Sequence, residues 1–484
     1  MNTLTFLLFT FFTSIHTQTS KFYVIRQWKY LNFTWPDEDT LKTATATGDY
    51  IPENTIVSGI KYFEDYYYLT LPRMKKGVPA TLARIKAGPT QDTAPPLEPF
   101  PSWEMNRIGG DCNNLQNVQN VEIDTKGQVW IIDGGRVQTL MEPIVKCGPK
   151  LVVFGLREGR VTTVFNFPEE VAARNGSFLY DIVVDDTDGG FAYITDNSAT
   201  DPGIIVFSVK ENRSWKIRSQ TMSADRSATL FSVNGVPISA PINIAGIALG
   251  PKIHTNDDKL VVNEDREVYF SPLSSLHLYS INTSSLRNSS NTSIKDLGLK
   301  SSQSVGMVMD NQGILYYTLL GNNAVGRWDS RTPFQSGQKL IAQDSKHLEW
   351  PNSLTLDTSG NLTVLMNRLN RFIYDEFDLS EYNFRLITAF VGGKNYLYDD
   401  NFNYDLNRGE RMFHNESRMT PEPLPSPEPE PQADYHDHNH ENDHDHDHMT
   451  STTMSNHVKI VKSSSHKLAS SLFTLILCFL VVRR

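Results

Sequence analysis

A strand–turn–strand unit recurs along the chain, and it constrains the fold more than any other feature of the sequence. In the clearest copy, residues 178–208, turn residues separate three runs of apolar and aromatic residues. The first turn (DDTDGG, residues 185–190) is typical of a hairpin, because glycine tolerates positive φ and aspartate caps its own turn. The copy therefore predicts a four-stranded antiparallel sheet that lacks only its last strand.

The same order of strand, turn and aromatic-rich strand is found elsewhere in the chain. Further copies occupy residues 115–136, 304–328 and 350–374, with weaker copies at 56–85 and 242–281. Their irregular spacing suits propeller blades joined by loops of variable length better than a tight solenoid. We therefore predict an all-β, six-bladed β-propeller over residues 20–400. The alternative is a β-sandwich whose hairpins share Asp-Gly turns.

The N-terminal segment offers a way to close the ring of blades. Residues 22–28 are strand-like, and so are residues 384–390 near the end of the repeats. We expect the first segment to add a strand to the last blade.

The composition excludes one class of partner and is compatible with a large core. The chain has 484 residues, of which 39% are hydrophobic and 21% charged, with a net charge of −10. These values are ordinary for a globular protein. The acidic balance, without a basic stripe carrying interleaved aromatic residues, argues against a nucleic-acid partner.

The N-terminus and the sequons predict an extracellular protein. Residues 1–19 contain an apolar run too short to span a bilayer and followed by small polar residues, which is typical of a secretory signal peptide. Eight Asn-x-Ser/Thr acceptors predict glycosylation if they lie on exposed loops. They are Asn32, Asn175, Asn212, Asn282, Asn288, Asn291, Asn361 and Asn415.

Cysteine usage is sparse. Of three cysteines, Cys478 lies in the apolar C-terminal tail, which leaves Cys112 and Cys147 for the folded domain. Two cysteines in an oxidising compartment usually pair, and we expect this disulfide to pin the start of the second unit. The alternative is two buried free thiols.

Several short motifs resemble the yellow / major royal jelly protein family, in the order in which that family carries them. They are IGGDC (108–112), VWIIDGG (129–135), CGPKLVVF (147–154), AYITDN (192–197), GIIVF (203–207), WPN (350–352), MNRL (366–369) and EYNFR (381–385). The resemblance covers about residues 22–395 and implies a secreted arthropod protein with a six-bladed propeller. One departure is DTKG (124–127), where the family usually carries a further cysteine, so this chain has a reduced disulfide set.

Polar residues at the ends of the inner strands are candidates for a ligand site in the channel. They are Tyr180, Asp181, Asp196, Asn197, Asn352 and Asn367. Asn352, Asn367 and Leu369 match positions of a biogenic-amine pocket in salivary proteins of the family, so the resemblance implies a ligand there. The alternative for each residue is a turn cap or a hydrogen bond that closes its sheet.

The motifs of common enzymes are missing from the sequence. It contains no Gly-x-Ser-x-Gly elbow, no HExxH helix and no phosphate loop, so no cofactor is expected and catalytic residues stay unassigned. The resemblance also implies a link to dopachrome conversion in the melanin pathway. Amide side chains cannot transfer protons near neutral pH, so the asparagine-rich set favours a binder of small aromatic amines or catechols, linked to pigmentation or development. The alternatives are a dopachrome-converting enzyme and a structural cuticle or surface protein.

Residues 401–465 change in composition and predict a disordered stalk. A Pro/Glu tract, residues 420–432, precedes a His/Asp tract, residues 434–448, and the latter predicts weak binding of Zn²⁺, Cu²⁺ or Ni²⁺. The alternative is a solvated acidic tract. Its histidines are His436, His438, His440, His444, His446 and His448.

The C-terminal tail, residues 466–484, predicts a membrane attachment. Its unbroken apolar core, residues 472–482, is shorter than the roughly 20 residues needed to cross a bilayer, which favours a lipid-anchor signal. The terminal Arg483-Arg484 would instead suit a short span with a positive inside end.

The lipid-anchor prediction can be tested on cells that express the full chain. We expect a phosphatidylinositol-specific phospholipase to release the protein, with the mature chain ending near residues 463–465. Retention on the cells, with Cys478 still present in the mature chain, would indicate a membrane span instead.

Overall fold

A computed structural model describes residues 21–398, apart from residues 89–90, 110, 257–258, 263–264, 289–292 and 376. The predicted signal peptide, stalk, histidine tract and C-terminal tail lie outside the described residues, as do Asn291 and Asn415. Among the helices within the described ranges, none is long and apolar enough to cross a membrane.

Six four-stranded antiparallel sheets form the blades of a propeller. The innermost strand of each blade packs against those of its two neighbours, and blade 6 packs against blade 1, so the ring is closed. The prediction of an all-β, six-bladed propeller is therefore confirmed, and the sandwich alternative is wrong.

Each blade runs from an innermost strand at the channel to an outermost strand at the periphery. In that order the strands are Gly59–Phe63, Tyr66–Thr70, Leu82–Lys86 and Glu98–Pro99 in blade 1; Val118–Ile123, Gln128–Asp133, Lys150–Gly155 and Arg160–Asn166 in blade 2; Leu179–Asp185, Phe191–Asp196, Gly203–Ser208 and Arg213–Ile217 in blade 3; Ile244–Leu249, Glu267–Pro272, His277–Asn282 and Ile294–Leu299 in blade 4; Met307–Met309, Ile314–Leu319, Ala324–Asp329 and Lys339–Gln343 in blade 5; Pro351–Leu356, Asn361–Met366, Phe384–Phe390 and Tyr23–Trp28 in blade 6.

Short hairpins and helices occupy the connections between these strands. The hairpins pair Arg136–Val137 with Ile144–Val145, Leu230–Val233 with Val236–Ser239, and Ile253–Asn256 with Lys259–Val262. The α-helices are Glu38–Thr47, Thr283–Asn288, Phe334–Gly337 and Leu369–Tyr374, and the 3₁₀ turns are Pro52–Asn54, Glu104–Asn106, Gln220–Met222 and Arg226–Ala228.

The burial pattern of the strands follows from the stacking of the blades. Val118–Ile123 and Gly203–Ser208 are buried along their whole length, because neighbouring blades cover both faces of each sheet. Such strands carry continuous apolar runs instead of an alternating pattern. The outermost strand Arg160–Asn166 alternates between exposed and partly buried residues. Burial on both faces of the inner strands thus explains the apolar runs of the sequence repeat.

The N-terminal strand closes the ring. Tyr23–Trp28 pairs antiparallel with Phe384–Phe390, which confirms the prediction of an added strand in the last blade. Trp28 is buried, and its Nε1 donates a hydrogen bond to the carbonyl oxygen of Pro95 at 2.9 Å. The strand is therefore held both by blade 6 and by the segment that leads into the last strand of blade 1.

Four innermost strands carry a β-bulge near their first residues. In blades 2, 3, 4 and 6 the register against the second strand shifts by one residue, so one residue of the inner strand has no partner. A bulge of this kind re-aims a side chain locally. The bulged residues are Gln119, Tyr180, Ala245 and Asn352.

Threonines of the second strands tie neighbouring blades together around the channel. Thr70 Oγ1 accepts a hydrogen bond from the backbone amide of Gly59 at 2.7 Å and donates one to the carbonyl oxygen of Gln119, in the next blade, at 2.7 Å. Thr195 does the same between blades 3 and 4. The hydroxyls thus donate to the carbonyl oxygens of two bulged residues, Gln119 and Ala245, which have no ladder partner.

Cys112 and Cys147 form a disulfide, with their Cα atoms 5.6 Å apart. The bond joins the loop before the inner strand of blade 2 to the segment before its third strand. The predicted pairing is confirmed, and the alternative of two free thiols is wrong.

The described sequons differ in exposure. Asn175, Asn212 and Asn288 are exposed, whereas Asn32, Asn282 and Asn361 are partly buried. Glycosylation of each stays a prediction.

Removing the disulfide should lower stability without changing the fold. The double variant Cys112→Ser/Cys147→Ser frees a loop of 35 residues in the unfolded chain, so we expect the free energy of unfolding to fall by about 3–4 kcal/mol. Urea denaturation would measure the difference, and reductant should bring the parent protein to the same value. Equal midpoints for the parent protein and the variant without reductant would contradict this prediction.

Candidate functional site

A small pocket lies where the innermost strands begin at one end of the channel. Its empty volume is about 330 Å³, open solvent included, but the enclosed part would hold only about one water molecule. It is lined by Ser58, Lys61, Gln119, Asn120, Tyr180, Asp181, Val305, Gly306, Met307, Asn352, Ser353 and Leu354.

Three of the lining residues are the bulged residues of their strands. Gln119, Tyr180 and Asn352 come from blades 2, 3 and 6, and each occupies the position that the register shift leaves unpaired. Of the residues predicted from the sequence, the structure brings Tyr180, Asp181 and Asn352 together at this pocket.

The amide of Asn352 is engaged by the protein itself. Its Nδ2 donates to the carbonyl oxygen of Ser58 at 2.6 Å, and its Oδ1 accepts from Trp350 Nε1 at 3.0 Å. Trp350 lies in the left-handed region with φ 57°, which is costly for a bulky residue. Asn352 therefore links blade 6 to blade 1 at the rim of the pocket.

Asn367 and Leu369 are not among the lining residues. Asn367 Nδ2 donates to the carbonyl oxygen of Val57 at 2.9 Å, and its Oδ1 accepts from the amide of Leu369 at 3.2 Å. Leu369 begins the helix Leu369–Tyr374 and is buried in an apolar cluster. Both residues thus support the blade 6 to blade 1 junction.

Asp196 and Asn197 lie at the end of the second strand of blade 3, away from the pocket lining. The Asp196 carboxylate is buried and accepts hydrogen bonds from Lys216 Nζ and the Phe178 amide, each at 2.7 Å. The amide of Asn197 donates to the carbonyl oxygen of Phe178 at 2.9 Å. These contacts close the sheet.

Three buried ionisable side chains meet in the channel. Lys61 Nζ lies 2.8 Å from Glu122 Oε2, and Asp181 Oδ1 accepts a hydrogen bond from Asn120 Nδ2 at 2.7 Å. Lys61 is therefore the counter-ion of two buried carboxylates, Glu122 and Asp181. Burial alone would lower the pKa of Lys61, but the charges of Glu122 and Asp181 raise it.

The excess of negative charge over positive charge affects the pKa of Asp181. Burial raises the pKa of its carboxyl to about 7, although Lys61 and the amide of Ile182 oppose the rise. Burial also raises the pKa of the neighbouring Tyr180 above its usual range, so its hydroxyl stays protonated near neutral pH. The pocket thus combines a carboxyl that can exchange a proton at neutral pH with a neutral phenol.

The opposite part of the channel is occupied by a tyrosine from the C-terminal side of blade 6. Tyr396 Oη accepts a hydrogen bond from the amide of Val184 at 2.9 Å and donates to the carbonyl oxygen of the same residue at 3.1 Å. Those backbone groups lie on the free edge of the innermost strand, which faces the channel. Tyr396 is buried and contacts the later residues of the blade 3 inner strand, and it is not among the residues that line the pocket.

A family model described as "Major royal jelly protein" matches residues 116–393. The chain belongs to the major royal jelly protein family. The resemblance inferred from the motifs is thereby confirmed.

This family member is similar in sequence to two curated relatives and in structure to one solved protein. "Dopaminechrome tautomerase" of Drosophila melanogaster is 29% identical over 394 residues, which cover 77% of this chain and 82% of the relative. "Protein yellow" of Drosophila melanogaster is 28% identical over 378 residues, covering 75% and 67%. A luciferin-regenerating enzyme is structurally similar with a TM-score of 0.41 and 11% identity, covering 70% of this chain and 93% of that one.

The pocket of this family member also contains residues that were not predicted from the sequence. Gln119 is only 3% exposed, and neither polar atom of its side chain has a hydrogen-bond partner within the described residues. Lys61 and Glu122 each place a charge inside a buried strand, in GIKYF and VQNVEI. A charge inside a buried strand was the signal available for these two, whereas nothing local distinguishes Gln119.

The side chains of the described residues do not form a metal site. No group of three or more His, Cys, Asp or Glu side chains lies close enough to hold an ion in that part of the chain. The candidate histidines, His436 to His448, lie outside it.

Asp181 should give stability a measurable pH dependence. Its folded-state pKa of about 7 exceeds the usual value near 4, so the folded protein binds this proton more tightly than the unfolded chain does. The free energy of unfolding should therefore fall as the pH rises from about 4 through 7. In Asp181→Asn this component should be lost, which raises stability at pH 8 relative to the parent protein by an amount on the order of a few kcal/mol.

Denaturation series at several pH values would measure this effect. Glu104→Gln, which removes an exposed carboxylate, is the control and should keep the pH profile of the parent protein. Parallel pH profiles for the parent protein and Asp181→Asn would contradict the assignment.

Proposed function

We propose that this protein is a tautomerase that acts on small catechol-derived aminochromes, with Asp181 as the proton-transferring group. The observation that carries the proposal is a buried carboxyl with a pKa of about 7 in the channel pocket. A group of this pKa is present in both its acidic and its basic form near neutral pH, which is what general acid–base catalysis requires.

The chemistry balances without a co-reactant. The first step in tautomerising an aminochrome breaks one C–H bond at a saturated ring carbon and forms one O–H bond at a quinone oxygen, which gives a quinone methide. A second transfer of the same kind, from the other saturated carbon to the other oxygen, completes the dihydroxyindole. The Asp181 carboxylate would take the proton from carbon, and the resulting carboxylic acid would return a proton to the oxygen. The neutral hydroxyl of Tyr180 would donate a hydrogen bond to the oxygen on which negative charge develops.

The name of one relative supports this reaction class. That relative carries the name dopaminechrome tautomerase, at 29% identity over 77% of this chain. We further propose that the protein acts outside the cell, in pigmentation or development, as a secreted or surface-tethered protein.

A binder that uses the asparagine amides has less support. The amides of Asn352 and Asn367 donate to Ser58 and Val57 of the neighbouring blade, so they are committed to the junction between the blades. An enzyme, unlike a binder, needs a group that transfers a proton, and Asp181 supplies a carboxyl of suitable pKa in the pocket. This arrangement favours turnover over simple binding.

A ring can reach Asp181 only if side chains at the mouth of the pocket rotate. The enclosed space would hold about one water molecule. Met307 lines this space, and its unbranched chain with three rotatable bonds adapts more readily than Leu354 does. We therefore place the ring at the open side of the pocket, with Met307 displaced.

Turnover of dopaminechrome, followed by absorbance, would test the proposal. We expect kcat/KM of the parent protein to rise with pH through about 7, because the carboxylate form removes the proton. Asp181→Asn should lower kcat/KM by about 10²–10⁴-fold and abolish that pH dependence.

Asp310→Asn is the matched control. Burial raises the pKa of Asp310 to about 6, but its carboxylate caps a turn in blade 5 and does not line the pocket. Full activity in Asp181→Asn would defeat the proposal. Saturable binding of dopaminechrome by the parent protein, without turnover, would favour the binder.

A further inference from the structure

The buried side-chain amide of Gln119 has a donor and an acceptor that are both unused within the part of the chain that the structure describes. Its side chain is 3% exposed and lines the pocket, and neither Nε2 nor Oε1 has a hydrogen-bond partner among the described residues. Burying an amide in this way lowers stability, because water would otherwise satisfy both atoms. The destabilising amide lies at the place where a ligand could enter the channel.

The other side-chain amides of the pocket differ from Gln119 in this respect. Asn120 donates to Asp181, and Asn352 donates to Ser58. Gln119 is also the residue that the bulge of blade 2 leaves unpaired in the ladder, while its backbone carbonyl is fixed by Thr70. The backbone of Gln119 is therefore held by the neighbouring blade, while its side-chain amide has no partner among the described residues and can bind a ligand.

We propose that Gln119 recognises two adjacent ring oxygens of the substrate, an inference that rests on the proposed tautomerase function. Nε2 donates a hydrogen bond to one oxygen, and Oε1 accepts one from a hydroxyl group on the neighbouring carbon. An amide presents one donor and one acceptor side by side, which matches a catechol or a half-reacted ortho-quinone.

The match improves as the reaction proceeds. The two oxygens of the quinone are both acceptors, so the substrate satisfies only Nε2. When proton transfer converts one of them to a hydroxyl, Oε1 gains its partner as well. Because the O–H bond is partly formed in the transition state, Gln119 binds the transition state more tightly than the ground state, and interactions of that kind accelerate a reaction.

The substitution Gln119→Met separates this role from a structural one. Methionine has a similar size and no hydrogen-bonding amide, and the parent side chain has no hydrogen bond to lose among the described residues. We expect kcat/KM for dopaminechrome to fall by about 10- to 100-fold, while the urea midpoint stays at or above that of the parent protein.

Gln116→Met is the matched control. Gln116 is buried in the same segment, but its Oε1 accepts from the amide of Gly109 at 2.9 Å and its Nε2 donates to the carbonyl oxygen of Asn114 at 3.2 Å. This variant should lower the urea midpoint and leave kcat/KM unchanged. The opposite pattern, with Gln119→Met destabilised and fully active, would show that the amide only binds a structural water and would overturn the inference.

Calorimetry with two amines tests the adjacent oxygens independently of turnover. Dopamine carries two neighbouring hydroxyls and tyramine carries one, so the parent protein should bind dopamine about tenfold more tightly. In Gln119→Met the two affinities should become equal, whereas an unchanged ratio would overturn the inference. If the parent protein lacks turnover but binds dopamine more tightly than tyramine, the tautomerase proposal fails and the role of Gln119 stands. If Asp181→Asn abolishes turnover and Gln119→Met has no effect on turnover or binding, the tautomerase proposal stands and the role of Gln119 fails.

Discussion

The pairing of the N-terminal strand with the last blade is the constraint on which the channel depends. Tyr23–Trp28 and Phe384–Phe390 lie at opposite ends of the repeats, and their ladder joins the two ends of the ring in a single sheet. Without this pairing the last sheet would keep only three strands, all from the end of the repeats, and the ladder that joins them to the N-terminal segment would be missing. The ladder therefore fixes the position of blade 6 against blade 1, and with it the junction where Asn352 and Asn367 contact the neighbouring blade.

Within the closed ring, the bulges determine what the channel presents to a ligand. A regular inner strand would alternate its side chains between the two buried faces of its blade, and few polar groups would reach the channel. The extra residue in three of the strands places Gln119, Tyr180 and Asn352 around one space. Threonine hydroxyls satisfy the backbone groups that the bulges release, so the distortion is stabilised by the neighbouring blade.

Buried charges occur in two arrangements in this protein. In one, each positive charge has a single negative partner, and in the other, one positive charge faces two negative ones. Lys150 with Asp133 and Lys216 with Asp196 are buried pairs of opposite charge that join strands of a single blade. In the channel, Lys61 faces both Glu122 and Asp181, so one negative charge has no full partner. Removing a carboxylate from water without a counter-ion favours its protonated form, which is why Asp181 titrates near neutral pH.

The sequence by itself determined the architecture, because strand order and hairpin chemistry are local and each blade repeats them. The Asp-Gly turns predicted the six units, and the polar ends of inner strands predicted Tyr180, Asp181 and Asn352 near the channel. The tertiary structure alone decided which polar groups are free and which are committed. Asn367 and Asp196 were predicted from the same pattern as Asp181, but Asn367 is held by Val57 of the neighbouring blade and Asp196 by Lys216, two strands further along its own blade. The titration of Asp181 depends on neighbours from other blades, and so does the amide of Gln119, which has no partner among the described residues. No local pattern specifies those neighbours.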